Sequence, residues 1–192
     1  MTTIYFIRHA QADNSFRDGR NRPLTEKGMT DRGLATAYLS DKQVDTVLSS
    51  PFRRAIDTVQ EYADKHGFII RTIEDFRERK GDSDMNLYHP GFATFMQRQW
   101  ADFTYTYSDG ECLGEVQMRN IAALNEVLKV YENQSVVIGT HGTALSIIVN
   151  HYDKTYSFAD FMAMAELLPW AVKMTFDGLE CTDIKKIDLF YQ

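Results

Sequence analysis

Short, almost wholly apolar runs alternate along the chain with longer segments whose apolar residues recur every three or four positions. Residues 3–7 (TIYFI) read as a buried strand, β-branched and aromatic without a polar break. A polar stretch over residues 14–23 follows. Thr25 then opens a helical pattern to about Leu39, with Met29, Leu34, Ala35, Tyr38 and Leu39 near one face. Residues 44–48 predict a second strand, and residues 52–66 a helix ended by Gly67. A third strand is predicted over residues 68–73. Periodicity is poor from 74 to 107, apart from a short helix around 91–103. Residues 111–131 form the strongest helical pattern, with Val116, Ile121, Leu124 and Leu128 on one stripe. SVVIG (135–139) is another buried strand, and residues 143–151 begin a further helix. Residues 170–176 and 184–189 predict strands around a turn at Asp177-Gly178, a hairpin at a sheet edge.

Strands that alternate with helices imply βαβ units. The expected fold is therefore α/β and three-layered, a mostly parallel central sheet with helices on both faces. No linker, repeat or low-complexity tract divides the 192 residues, so one domain spanning 1–192 is expected.

Composition narrows the picture. An apolar fraction of 44% and a charged fraction of 25% are those of an ordinary globular protein. The net charge of -6 argues against a nucleic-acid partner, which needs a basic field. Cys112 and Cys181 form no CxxC pair and predict a reducing compartment without a disulfide framework. The N-terminus shows no basic region ahead of a long apolar stretch. The apolar stretch around 162–172 is broken by Glu166 and Pro169. Neither a signal peptide nor a membrane span is expected, and the expected location is cytoplasmic. Nothing in the sequence signals an oligomeric state.

Candidate chemistry gathers at strand ends. In an open α/β sheet, ligands bind beyond the carboxyl ends of the strands. His9 follows the first strand and His141 follows SVVIG, so central, parallel placement of both strands brings two imidazoles to one edge. SSPFRRA, after the second strand, delivers Arg53 and Arg54 to the same edge at a helix start. Such cations, with Arg8, repel one another unless an anion sits among them. Phosphate fits, because guanidiniums bind it bidentately and helix N-termini add backbone donors.

IRHAQAD, PLTEKG, SSPFRRAIDT, FRERKGD, GECLGEVQMR and VVIGTHGTAL occur in the order found in the histidine phosphatase superfamily, which includes the cofactor-dependent phosphoglycerate mutases. By these motifs the chain resembles that superfamily from residue 7 to 145, leaving the C-terminal segment unmatched. The resemblance implies a phosphoglycerate mutase-like fold and a metal-independent phosphatase without a cofactor. It implies hydrolysis of a small phosphorylated molecule, a phosphomonoester, through a phosphohistidine on His9. Arg8 and Arg54 correspond to the phosphate clamps, whereas Arg53 is not a matched position. His141 corresponds to the second histidine, which binds the transferring group, and Glu78 to the proton donor. Two alternatives stand beside this reading. A phosphoglycerate mutase returns the phosphoryl group to its substrate, although mutases tend to be longer. A non-catalytic phosphate-binding regulatory module would need neither the second histidine nor the acid.

The motifs also depart from the pattern. Ala10 replaces a glycine, Ala12 stands where a hydroxyl is usual, and Cys112 replaces a serine. Ser15 occupies the place of an expected asparagine, with Asn14 just before it. Asn14, Ser15, Arg17 and Arg20 are therefore candidates for substrate contact. Arg17, Arg20 and Arg22 suit a second anionic group as well as they suit a plain solvated loop. Glu111 is open to two readings, support of the site or complementation of a helix dipole. The irregular segment 79–110 is the expected lid, in which Phe92, Phe95, Met96, Trp100 and Phe103 read as packing. His66, His89 and His151 match nothing. No carboxylate or cysteine lies at ligand spacing from them, so no metal site is expected.

Overall fold

In the computed structural model, which describes residues 1–85 and 89–191, the chain runs β1 (Thr2–Arg8), α1 (Glu26–Leu39), β2 (Thr46–Ser49), α2 (Arg53–His66), β3 (Arg71–Thr72), α3 (Phe92–Ala101), α4 (Leu113–Val130), β4 (Ser135–Thr140), α5 (Gly142–Tyr152), α6 (Phe158–Ala163), β5 (Trp170–Asp177) and β6 (Glu180–Ile187). All six strands join one sheet in the order β3-β2-β4-β1-β5-β6. The first four are mutually parallel. β5 runs antiparallel to β1, and β6 antiparallel to β5. The mostly parallel sheet with a hairpin at its edge is thus as expected, and Gly178 at φ 58 makes its tight turn.

Alternation along the strands builds the layers. Ile4 and Phe6 of β1, with Val136 and Ile138 of β4, pack against Leu124, Leu128, Leu145 and Ile148 of α4 and α5. Tyr5, Ile7 and Val137 point the other way, onto Ala35, Leu39, Val59 and Tyr62 of α1 and α2. Helices therefore cover both faces. Among the described residues no helix is long and apolar enough to cross a membrane.

The structure corrects several local expectations. Only Arg71 and Thr72 of the expected third strand pair with β2, while Phe68 and Ile70 pack on the α1–α2 side. Burial against helices satisfies those side chains without extending the ladder. β6 begins at Glu180, earlier than expected, because an edge strand tolerates a polar run that carries no apolar signal. α6 went unforeseen, although Ser157 and Asp160 cap it reciprocally. Met29 is 43% exposed and lies off the core face of α1.

Two glycines set the spacing around the sheet's carboxyl edge. Thr25 caps α1 by accepting the Gly28 N–H at 3.0 Å, and its own N–H donates to the Gln11 carbonyl at 3.0 Å. A Cβ at Gly28 would stand 2.1 Å from that carbonyl oxygen, so only glycine lets α1 meet the loop after β1. At Gly139 a Cβ would stand 2.7 Å from Ser49 Oγ, which forces glycine where β4 passes β2. Gly33, also in α1, has open space at the corresponding point. We expect Gly28→Ala to lower the unfolding free energy by about 2–3 kcal/mol through backbone overpacking. Gly33→Ala is expected to raise it by about 0.5–1 kcal/mol through helix propensity. Urea denaturation of the two variants checks the contrast.

Candidate active site

Register delivers the central pair. Arg8 lies opposite Thr140 in the β1–β4 ladder, and the His9 N–H extends that ladder by donating to the Thr140 carbonyl at 3.0 Å. The residues just past both strand ends therefore emerge side by side. The His9 and His141 rings meet with centroids 5.3 Å apart, tilted 64°. β2, on the other flank of β4, adds Ser50, whose Oγ lies 2.7 Å from His141 Nε2. Phe52 stands edge-on to the His141 ring at 5.2 Å. His141 Nδ1 is buried and has no partner.

The His9 tautomer follows from its neighbour. Nδ1 lies 2.7 Å from the Ala10 carbonyl oxygen, which can only accept, so Nδ1 carries the proton. Nε2 is left with its lone pair. Burial pushes the His9 pKa well below the usual histidine value, and the charges of Arg54 and Arg8 push it further. His141 is lowered in the same direction by burial, then by Arg54 and by His9. Both rings are neutral at pH 7.

Two guanidiniums flank the pair. Arg8 directs Nη1 at the carbonyls of Met164, Ala165 and Leu167, at 2.6, 3.1 and 3.1 Å, which anchors it on the segment after α6. Its Nε is buried without a partner. A Cβ at Gly142 would press on this guanidinium at 3.2 Å. Arg54, in the first turn of α2, is only 6% exposed. It lies over the Phe52 ring at 5.1 Å and donates to the Gly19 carbonyl at 2.6 Å. Burial pulls both arginines down to about 10, against the opposing pull of Glu78, so both remain charged at neutral pH. The Glu78 carboxylate accepts the Thr143 and Ala144 N–H groups at 3.2 and 3.1 Å, at the N-terminal turn of α5 beside His141.

The structure thus brings Arg8, His9, Arg54, Glu78 and His141 together at one edge. Arg53 is exposed beside Asp57. The rim residues have other partners. Ser15 Oγ donates to Asp13 at 2.6 Å. Arg20 forms a bidentate pair with Glu74 at 2.9 and 2.8 Å. Asn14 accepts from Arg22 at 3.1 Å, and Arg17 is exposed. The charge of Arg22 nevertheless acts on both His9 and Arg54. Sequence patterns did not single out Ser50 or Phe52, although their place directly after β2, next to β4, was the available signal. Cys112 takes over the capping role of a serine, its Sγ accepting the Glu115 N–H at 3.4 Å. Glu111 precedes that cap, and its carboxylate pairs with Arg77 and Arg119, which displaces the dipole reading.

Fold and site define a class: α/β proteins with a paired-histidine centre at the carboxyl edge of a mostly parallel sheet. Within it, the chain belongs to the histidine phosphatase superfamily (branch 1), whose family model matches residues 4–165. It is similar to the uncharacterized phosphatase PhoE of Bacillus subtilis, 26% identical over 155 residues that cover 78% of this chain and 76% of the relative. Phosphoserine phosphatase 1 of Hydrogenobacter thermophilus is 27% identical over 155 residues, 73% of this chain and 71% of that one. The fold is shared with Bacillus stearothermophilus YhfR (TM-score 0.75, 22% identity, 95% of each chain). It is shared also with a mycobacterial glucosyl-3-phosphoglycerate phosphatase in complex with VO3 (TM-score 0.79, 21% identity, 97% and 98% of the two chains).

The buried neutral rings have a thermodynamic signature. An unfolded histidine titrates near 6.5, and both folded values lie well below it. As pH falls below that value, the unfolded chain binds more protons than the folded one. Stability contributed by each ring is therefore complete above about pH 6.5 and is lost on acidification, by about 1.4 kcal/mol per pH unit. We expect His141→Gln to reduce the pH slope of the urea-unfolding free energy between about pH 6.5 and 5 by about one proton. Identical slopes would mean that the ring titrates alike in both states.

Proposed function

We propose that the chain is a metal-independent phosphatase that hydrolyses a small phosphomonoester through a phosphohistidine on His9. One observation carries this reading: a neutral His9 with Nδ1 tied to the Ala10 carbonyl and Nε2 free, edge-on to a second neutral imidazole and flanked by two buried arginines. The similarity to two relatives named as phosphatases supports the reaction class.

In the proposed mechanism, His9 Nε2 attacks phosphorus in line with the ester oxygen, forming the N–P bond as the P–O bond breaks. Arg8 and Arg54 bind the equatorial oxygens, whose charge they stabilise without reorganising in the transition state. His141 donates a hydrogen bond to the same group. The departing alkoxide takes a proton from Glu78, which this mechanism requires to take up that proton as the dianionic ester binds. Water then attacks the phosphohistidine, and the Glu78 carboxylate takes its proton as the N–P bond breaks. Orthophosphate leaves and both side chains return to their starting states.

Substrate contacts beyond the phosphoryl group are assigned to the loop of Asn14, Ser15, Arg17 and Arg20. Arg22, whose charge acts on His9, is the member of that loop the electrostatics favour. Residues 79–110 are assigned as the lid of a single 1–192 domain, of which residues 86–88 lie outside the described residues; the assignment is supported by the segment's start next to Glu78 and by the apolar cluster of Met85, Phe95 and Met96 within it. Free thiols at Cys112 and Cys181 support a cytoplasmic location.

The test is orthophosphate release from p-nitrophenyl phosphate and from a panel of phosphorylated metabolites. His9→Ala should abolish it on every substrate; full activity in that variant would refute the nucleophile. With 3-phosphoglycerate, product that appears only when a bisphosphorylated primer is added would mark a mutase instead. Arg54→Ala should lower turnover by about 10²–10³-fold, whereas Arg53→Ala leaves it unchanged. Equal losses in the two arginine variants would place the clamp elsewhere.

A further inference from the structure

Arg119, in the second turn of α4, is 11% exposed at its side chain and lies outside the histidine pair. All five of its guanidinium hydrogens have acceptors. Nε and Nη2 grip Glu111 bidentately at 2.9 Å each. Nη1 donates to the carbonyls of Asp75 and Arg77 at 2.7 and 2.9 Å, and Nη2 to the carbonyl of Glu78 at 3.2 Å. The three carbonyls belong to the short stretch of backbone that presents Glu78. On the far side of Glu78, the Glu111 carboxylate accepts the Lys80 N–H at 2.7 Å, and the Glu111 N–H donates to the Lys80 carbonyl at 3.0 Å. The backbone is therefore pinned before and after the residue whose side chain enters the site.

Phe76, fully buried in the core, already anchors this stretch to the body of the protein. What the Arg119–Glu111 pair adds is the orientation of the peptide units around Glu78. That orientation aims the carboxylate at the first turn of α5. Burial opposes the charge of Glu111, but the hydrogen bonds from Arg119 and from the Lys80 backbone outweigh it and hold the carboxyl below its ordinary range. The pair stays ionised. Lysine cannot replace the arginine, because three donors on a flexible stem cannot serve a bidentate carboxylate and three carbonyls together.

We infer that Arg119, braced by Glu111, is a positioning residue for the proton donor: it fixes the backbone of residues 75–80 so that Glu78 meets the leaving-group oxygen. The inference rests on the assignment of Glu78 as the acid. In the phosphoryl-transfer step a misaimed acid harms only substrates whose leaving group needs a proton, and that step, followed apart from the hydrolysis in which Glu78 serves as base, separates positioning from general support of the fold.

The experiment measures the single-turnover rate of alcohol or phenol release, and its half-saturating concentration, on glycerol 2-phosphate and on p-nitrophenyl phosphate for Glu78→Gln, Arg119→Lys and the double variant. Arg119→Lys should lower that rate on the alkyl ester by about tenfold or more, while the rate on the aryl ester and both half-saturating concentrations stay within about twofold. In the Glu78→Gln background the same substitution should add less than about a twofold loss, because both changes disable one group. A folded Arg119→Lys enzyme that loses alkyl and aryl turnover equally, or that adds its full effect to Glu78→Gln, overturns the inference and leaves the acid assignment standing. If Glu78→Gln fails to separate the two substrates, the acid assignment falls and the inference falls with it. Should Arg119→Lys show no cooperative thermal transition, Glu111→Gln replaces it, with the same pair of outcomes deciding.

Discussion

The parallel pairing of β1 with β4 is the constraint on which the site depends. A parallel ladder brings the carboxyl ends of two strands to one edge, and its register decides which side chains leave that edge together. Here Arg8 faces Thr140, and the His9 N–H adds one more rung. A slip of one residue would turn the alternating apolar side chains of β1 to the wrong layer. The two-sided core of Ile4 and Phe6 against Tyr5 and Ile7 therefore enforces the register of the histidine pair as a by-product of packing. The 5.3 Å between the imidazoles is a consequence of strand geometry.

Around that pair the protein concentrates positive charge in a poorly solvated place. Burial, reinforced by the guanidiniums, holds the two imidazoles neutral, and Glu78 and Glu166 offset the charge of Arg8. Such a site is poised for an anion. A dianionic phosphoryl group restores the missing solvation and raises the proton affinity of its neighbours. Anchoring matters as much as charge. Arg8 is held by three carbonyls, Arg54 by one and by the Phe52 ring, so neither has to reorganise when an anion arrives.

Departures at the motif positions are absorbed locally. Ala10 is fully buried, its N–H bonded to Thr58 Oγ1 at 3.0 Å. Cys112 forms the capping box that a serine would form, with a longer bond suited to sulfur. These residues leave the paired histidines and their flanking arginines in place and change their surroundings. In the Asn14–Arg22 loop and in the segment after Glu78, Arg20 pairs with Glu74 and Lys80 with Asp109.

The chain's own pattern determined the layered α/β fold, the strand ends that carry His9 and His141, and the arginine at the start of α2. Each is a local matter: apolar periodicity specifies a strand or helix, and a polar residue directly after it is delivered to an edge. Tertiary structure alone decided the rest. Residues 68–73 read as a strand, yet edge pairing takes only Arg71 and Thr72 because burial against α1 and α2 competes for the side chains. Glu111 read as site support or as a dipole partner, and only the fold shows that it grips Arg119 next to the backbone of Glu78. Arg8 is anchored on carbonyls from residues 164–167, in a part of the chain without any recognisable motif. The Arg8 contacts join segments far apart along the chain and are made to backbone groups, which every residue possesses. No pattern of side-chain types can announce them.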